Sequence, residues 1–438
     1  MSSALHDAVS PTALPAVVGN LVPIAGVLAL DWSPAAVLLV YQAELAAIFL
    51  WTILKVPFAY KRPNNMIERP NSIIGDDSAV FRPIQRKRGS ISIPGPLPPL
   101  YPRNVPTLIV ALVLTPFALA IAFVAFSLTR PEITEAAAGA FIVGGIVVFV
   151  ARGIETWREY FRGAGYREHS PRSVLLTPFK YFLIVGIVFL AFFVLESVIE
   201  VNAIIGAERA VLLLAVGKLG YDIRSWRVQR DDERRSLFER LYGSAATEIE
   251  PTPVEIPGGE PVRRVSMNRG MALIDALVHG LLFWFRVPAI FAWLVVGYGI
   301  LTSNATIALV GLGIGVAVSV PRIVARYVRY GTVEYRCYDD AIVVYDTLLE
   351  EPQARMDDHA VTDATASTGW LDRLFGTKTL SFEVMDHGDG PDGRLFVPED
   401  VDTEDDADES EPLVLPHVED PRRVTDALGL SWHLDGEA

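Results

Sequence analysis

Apolar stretches of membrane-spanning length, joined by connections that alternate between base-rich and nearly base-free, constrain this chain more than any other feature. About 18 apolar residues let a helix cross the hydrocarbon core of a bilayer. Stretches of this kind cover residues 13–30, 34–54, 106–128, 135–151, 181–199, 210–223, 287–301 and 304–320. The sequence therefore predicts about eight transmembrane helices. Lys and Arg set the orientation of such helices. Residues 55–103 hold nine bases, residues 152–180 six and residues 224–269 nine, whereas the alternate connections hold one or none. Four hairpins result, with both termini on the cytoplasmic side of the cell membrane. Residues 1–12 carry no Lys or Arg, so no removable signal peptide is expected.

Composition changes sharply after Thr332. From there to the end the chain has 28 Asp+Glu against 7 Lys+Arg, and the whole carries a formal charge of −14. A segment this acidic repels phosphate, which argues against nucleic-acid binding. One cysteine, Cys337, excludes a disulfide framework and any multi-cysteine zinc site. It reads as a small strand residue and not as a reactive thiol.

Residues 267–285 place Met271, Ile274, Leu277, Val278, Leu281, Leu282 and Phe285 at helical spacing, with Asp275 and His279 toward the other face. A ninth span here would put the acidic tail outside, so an amphipathic helix lying at the cytoplasmic interface is predicted. Residues 61–103 carry eight prolines and are expected to be extended, polyproline-like and unstructured. Residues 244–259 read as a flexible linker. Short strands are predicted over 332–338, 341–345, 353–356, 361–365, 377–385 and 412–418. Asp339-Asp340 forms a two-residue hairpin turn between the first two. Asp420-Pro421 opens a closing helix, and residues 386–411 form an acidic insertion expected to be disordered.

The run Tyr335-Arg336-Cys337-Tyr338-Asp339-Asp340-Ala341-Ile342 resembles the opening hairpin of bacterial pleckstrin-homology-like domains. So do Leu374-Phe375-Gly376-Thr377, leading into a long strand, and the ending Leu413-Val414-Leu415 with Asp420-Pro421. The resemblance covers about a quarter of the chain, and the acidic insertion departs from it. It implies a C-terminal cytoplasmic α+β pleckstrin-like domain over 330–433, through which a membrane or cytoplasmic protein partner would bind. No basic lipid-binding pocket accompanies it. Asn20-Leu21-Val22-Pro23, Tyr41-Gln42-Ala43-Glu44 and Pro98-Pro99-Leu100-Tyr101-Pro102 resemble a family of haloarchaeal multi-pass membrane proteins without an assigned activity. A salt-adapted source fits 32 Arg against 6 Lys and the acidic tail. The expected organisation is a six-helix membrane region over 1–225 with a Pro-rich loop at 55–105, and a charged helix and linker over 226–262. The interfacial helix and a transmembrane hairpin over 263–329 follow, then the pleckstrin-like domain.

No catalytic or nucleotide-binding motif is present, so no enzyme, metal or cofactor is expected. Gly139, Gly144-Gly145 and Gly311, Gly313, Gly315 sit in apolar spans and read as close helix contacts. Asp275 and His279 lack a third metal ligand nearby in sequence and read as an interfacial polar pair. The intramembrane polar candidates are Glu44, Lys218 and Asp222. An acid at mid-membrane costs about 2.5–3.5 kcal/mol on insertion scales and needs a partner or a cavity. Three readings of Glu44 stand: a neutral acid hydrogen-bonded between helices, which is the expected state, an ion pair with Lys218, or a proton or ion relay. A membrane scaffold or assembly protein is expected, and a small-solute or ion transporter using Glu44 is the alternative.

Overall fold

The computed structural model describes residues 14–63, 82–128, 134–179, 181–183, 186, 216–220, 248–251, 253–285, 290–384 and 413–429. They fall into two compact units, residues 1–72 with 92–250 and residues 73–91 with 251–438.

The first unit is built on α1 (Leu14–Ala29), α2 (Pro34–Lys55), α3 (Val105–Leu128) and α4 (Glu135–Glu155), the last running on as a wider helix over Thr156–Arg162. Local chemistry starts these helices. The Ser33 hydroxyl accepts from the Ala36 amide at 3.3 Å with Pro34 in the first turn, and Thr134 accepts from Ala137 at 3.2 Å. Each satisfies an amide that the helix cannot. α2 and α4 run parallel, with Val40 against Gly144 and Trp51 against Gly153. A Cβ on Gly144 would stand 2.8 Å from a Val40 methyl, so only glycine admits this approach. Gly139, expected to do the same, faces open space. Below α2, the buried Asn104 amide donates to the carbonyls of Val56, Pro57 and Ala59 at 3.0, 3.3 and 2.8 Å. β1 (Arg62–Pro63) pairs with β2 (Glu248–Ile249), so part of the expected 244–259 linker is held in a ladder.

The second unit begins its sheet with β3 (Arg263–Ser266) and continues through α5 (Arg269–Leu282), α6 (Ile290–Leu301) and α7 (Ala305–Tyr330). α6 and α7 form a tight antiparallel hairpin, Gly311 lying against Val296 and Gly299 against Ala308. Gly313, by contrast, faces open space. α5 also runs antiparallel to α7, with Gly280 against Ile323 and Trp284 against Gly315. α5 packs along the C-terminal half of α7 because Ala272, Ala276 and Gly280 leave a narrow buried face, while Leu273, Ile274, Leu277, Leu281 and Phe285 point outward.

After α7 the chain forms β4 (Val333–Cys337), β5 (Ala341–Asp346), β6 (Glu351–Asp357), β7 (Val361–Ser367), α8 (Trp370–Phe375), β8 (Lys378–Val384), β9 (Leu413–Val418) and α9 (Pro421–Asp426). Strands β3-β4-β5-β6 make one antiparallel sheet and β7-β8-β9 another. Both sheets supply one core, Tyr335, Cys337, Ile342, Leu380, Phe382 and Leu415 among others, closed by Val424 and Leu428. Burial in that core pushes the Cys337 thiol up to about 11, which leaves it unreactive at neutral pH.

Residues 82–91 belong to this unit and are ordered, against the expectation for the Pro-rich loop. Lys87 is buried on Asp346, and the Gln353 amide bonds both sides of the Arg88 peptide, accepting from its N–H at 2.7 Å and donating to its carbonyl at 3.1 Å. A buried cation with a carboxylate, and a backbone pair satisfied by a side-chain amide, outweigh the extended bias of the flanking prolines.

Among the described residues, four helices are long and apolar enough to cross a membrane, over Ala35–Phe58, Pro102–Ser127, Glu135–Arg162 and Ala305–Tyr330. α1 and α6 are shorter, at 16 and 12 residues. The expected spans over 181–199 and 210–223 lie mostly outside the described residues, and the insertion 386–411 lies wholly outside. β8 and β9 nonetheless pair with Phe382 opposite Leu413, so the insertion leaves and rejoins a closed hairpin. Replacing 386–411 by a short turn should keep the strands and add about 1.5 kcal/mol, since loop closure costs about 0.6 kcal/mol per doubling of length. Circular dichroism checks this, and loss of strand signal would make the insertion structural.

Candidate functional site

Among the described residues, each unit holds a buried polar cluster that contains residues singled out in the sequence. In the first, Glu44 is fully buried on α2. One carboxylate oxygen lies 3.0 Å from an Arg152 guanidinium nitrogen, and the other lies 3.0 Å from the Lys218 ammonium. The Tyr181 hydroxyl donates to this second oxygen at 3.1 Å. Lys218 sits over the rings of Tyr41 and Tyr181, 5.2 and 5.4 Å from their centroids, so its charge is also met by aromatic faces. Arg152 divides itself between Glu44 and Glu155, the latter at 3.2 Å. The parallel register places Arg152 beyond Glu44 toward the C-terminal end of α4. Helical side chains lean toward the N-terminus of their own helix, which lets the guanidinium reach back to the acid.

The second unit centres on His417, whose φ of +56° puts it in the left-handed region at the end of β9. Its Nδ1 lies 2.7 Å from Asp372 on α8, and its Nε2 lies 3.4 Å from Asp275 on α5. The Phe375 ring meets the imidazole edge-on at 5.3 Å. Asp372 also accepts from the Gly369 amide and from the Thr377 and Thr379 hydroxyls, at 2.9–3.1 Å. Asp275, 1% exposed, accepts from Arg326 on α7 at 2.5 and 3.1 Å and lies 3.1 Å from His279. The hydrogen bond that the imidazole donates to Asp275, joined by the one it donates to Asp372, raises the His417 pKa above its usual range despite burial. Burial alone would raise the Asp275 pKa, but hydrogen bonds from His279, His417 and Arg326 hold it well below the usual carboxylate range.

The sequence profile of a family of unknown function, DUF6498, matches residues 2–237. The chain belongs to DUF6498. No curated protein and no solved structure matches it. The DUF6498 match contains Glu44, Arg152, Tyr181 and Lys218, whereas Asp275, Asp372 and His417 lie beyond it.

The sequence candidates are thus sorted by geometry. Glu44 and Lys218 are brought together, and Asp222 lies outside the described residues. Glu44 is met by two cations and a phenol, an arrangement that favours the ion-pair reading over the neutral acid. Asp275 and His279 do pair, and Asp275 also meets Arg326 on α7 and His417 on β9. Among the described residues, no group of three His, Cys, Asp or Glu is arranged to hold a metal ion. Arg152 was legible only as a loop base at the end of a span, and His417 only as one residue of a strand.

Proposed function

We propose that this DUF6498 protein is a multi-pass membrane scaffold carrying a pleckstrin-like module held close to the bilayer. The observation that carries this reading is how directly the β region joins the membrane hairpin. Two residues separate α7 from β4, two separate β3 from α5, and the buried Asp275–Arg326 and Asp275–His417 contacts tie α5, α7 and β9 together. A module so fixed presents one surface at one height, as a platform for assembling a partner requires. Seven strands in two antiparallel sheets with a closing C-terminal helix support the pleckstrin-like assignment. The alternating base-rich connections support eight spans with cytoplasmic termini in the cell membrane.

The scaffold reading is tested by purification from native membranes in molar salt, with expected recovery of a stoichiometric protein partner that is lost when residues 331–429 are replaced. A second reading, solute or ion transport, draws on the Glu44 cluster. A flux in proteoliposomes that Glu44→Gln abolishes in a folded protein would overturn the scaffold. Topology has its own expected outcome. Cysteines placed at Asn71, Ser244 or in the tail should resist an impermeant reagent applied to intact cells, while one at Ser33 should react. The reverse pattern would invert the orientation.

A further inference from the structure

Chain direction sorts the β region into two ends. β3 runs into α5 and β4 starts from α7, so the end carrying Ser266 and Glu334 is the end joined to the membrane hairpin. Antiparallel pairing brings the β5–β6 turn, residues 347–350, to this same end. β9 finishes there too, since His417 reaches Asp275 on α5. Lys378, paired with Val418, starts β8 there, and α8 immediately precedes it. Among the described residues of 331–429, three large apolar side chains are exposed: Leu348, Trp370 and Leu374, at 66, 58 and 68%. All three lie at this end. Leu348 is in the β5–β6 turn and the other two stand one helical turn apart on α8.

The far end is the more acidic, while the near end mixes its bases with Glu350 in the β5–β6 turn, Glu351 at the start of β6 and Glu419 just after β9. The far end carries the Asp339-Asp340 turn, Asp357 and Asp358, and the attachment of an insertion with twelve acids and one base. Two of the seven bases after Thr332, Arg373 and Lys378, are exposed beside Trp370 and Leu374. Exposed apolar side chains gathered on one edge mark an interaction site. A tryptophan and leucines flanked by bases, on the edge from which an apolar helix departs, match the chemistry of a lipid headgroup boundary.

We propose that this edge docks on the lipid leaflet from which α7 emerges, with Trp370, Leu374 and Leu348 entering the acyl boundary and Arg373 and Lys378 meeting anionic headgroups. The acidic end is then held away from the negative surface. The inference depends neither on the pleckstrin-like assignment nor on the scaffold reading, so it can fail without them.

The test uses the full chain in vesicles of phosphatidylglycerol and phosphatidylcholine. Cys337 is fully buried, which confines spin labelling to introduced cysteines. Labels at Leu348→Cys, Trp370→Cys and Leu374→Cys should collide several-fold more with oxygen than with a water-soluble nickel chelate, and a label at Asp340→Cys should do the opposite. Labels at the three apolar positions that favour the chelate would overturn the proposal. So would labels shielded from both reagents, which would mean that a protein surface covers the edge. Brominated lipids provide a check free of labels. Trp370→Phe should remove part of the tryptophan quenching they cause, and unchanged quenching would also overturn the proposal. Arg373→Glu with Lys378→Glu should lessen immersion in dilute salt, and indifference would refute the headgroup contact.

Discussion

Glu44→Gln is expected to destabilise the first unit by about 3–5 kcal/mol, the usual cost of removing one partner from a buried ion pair. Glutamine keeps the size of the side chain and can still accept from Tyr181, so the loss isolates the charge. Two cations lose their counter-ion together, but unequally. Arg152 keeps Glu155 at 3.2 Å and is 19% exposed, whereas Lys218 is 8% exposed. Adding Lys218→Met to Glu44→Gln should therefore restore more stability than adding Arg152→Met. Such coupling between contacting residues is what a double-mutant cycle measures. Thermal melts in detergent of the three single and two double variants give the ordering. A Glu44→Gln loss of less than about 0.5 kcal/mol, the scale of an ordinary surface change, would mean that the acid is a neutral hydrogen-bonding group after all.

What could be read from the sequence was whatever depends on neighbours along the chain. Ser33-Pro34 starts α2 by local capping, and Asp339-Asp340 turns β4 into β5 in the expected register, with Cys337 opposite Ile342. Burial alternation made most strands of the β region visible. β3 escaped because Arg263-Arg264-Val265-Ser266 has one apolar residue, and its partner β4 lies 70 residues on. Lys87 and Arg88 looked like loop bases between prolines, since nothing local announces Asp346 or Gln353. Both polar clusters were half legible for the same reason. Glu44 stood out because acids are costly in hydrocarbon, and Lys218 because lysine is rare there. Arg152 did not, because its role depends on α2 and α4 lying parallel, a fact of packing. Asp275 and His279 were paired by helical spacing, but the partner that defines their setting, His417, is 142 residues from Asp275 and on a strand.

His417 gives the second large effect, and its sign follows from the groups around it. The facing groups are Asp275 and His279 on α5, Arg326 on α7 and Asp372 on α8. With a folded pKa raised above its ordinary 6.5, mainly by Asp275 and then by Asp372, His417 stabilises the fold fully below pH 6.5. That contribution is lost as pH rises through the folded value. Asp275 acts in the opposite sense: its folded pKa is depressed below the ordinary 3.8, so its contribution is present above that pH and lost only in stronger acid. Stability of the second unit should therefore be flat from about pH 4 to 6.5 and fall from there toward alkaline pH. The substitution that tests this is His417→Asn, because asparagine tolerates the left-handed φ of +56° and so removes the imidazole without adding backbone strain. It should cost about 1.5–3 kcal/mol at pH 6, the range for hydrogen bonds to charged groups, and clearly less at pH 9. The alkaline decline should disappear with it. His417→Ala should cost about 1 kcal/mol more at every pH, from forcing a Cβ-bearing residue without a side-chain hydrogen bond into the left-handed region. Hydrogen exchange of the β9 amides, 413–418, reads the effect where it arises. A wild-type protein whose β9 protection does not change between pH 6 and 9 would show that the imidazole keeps one charge state across that range and would sink the expected alkaline decline.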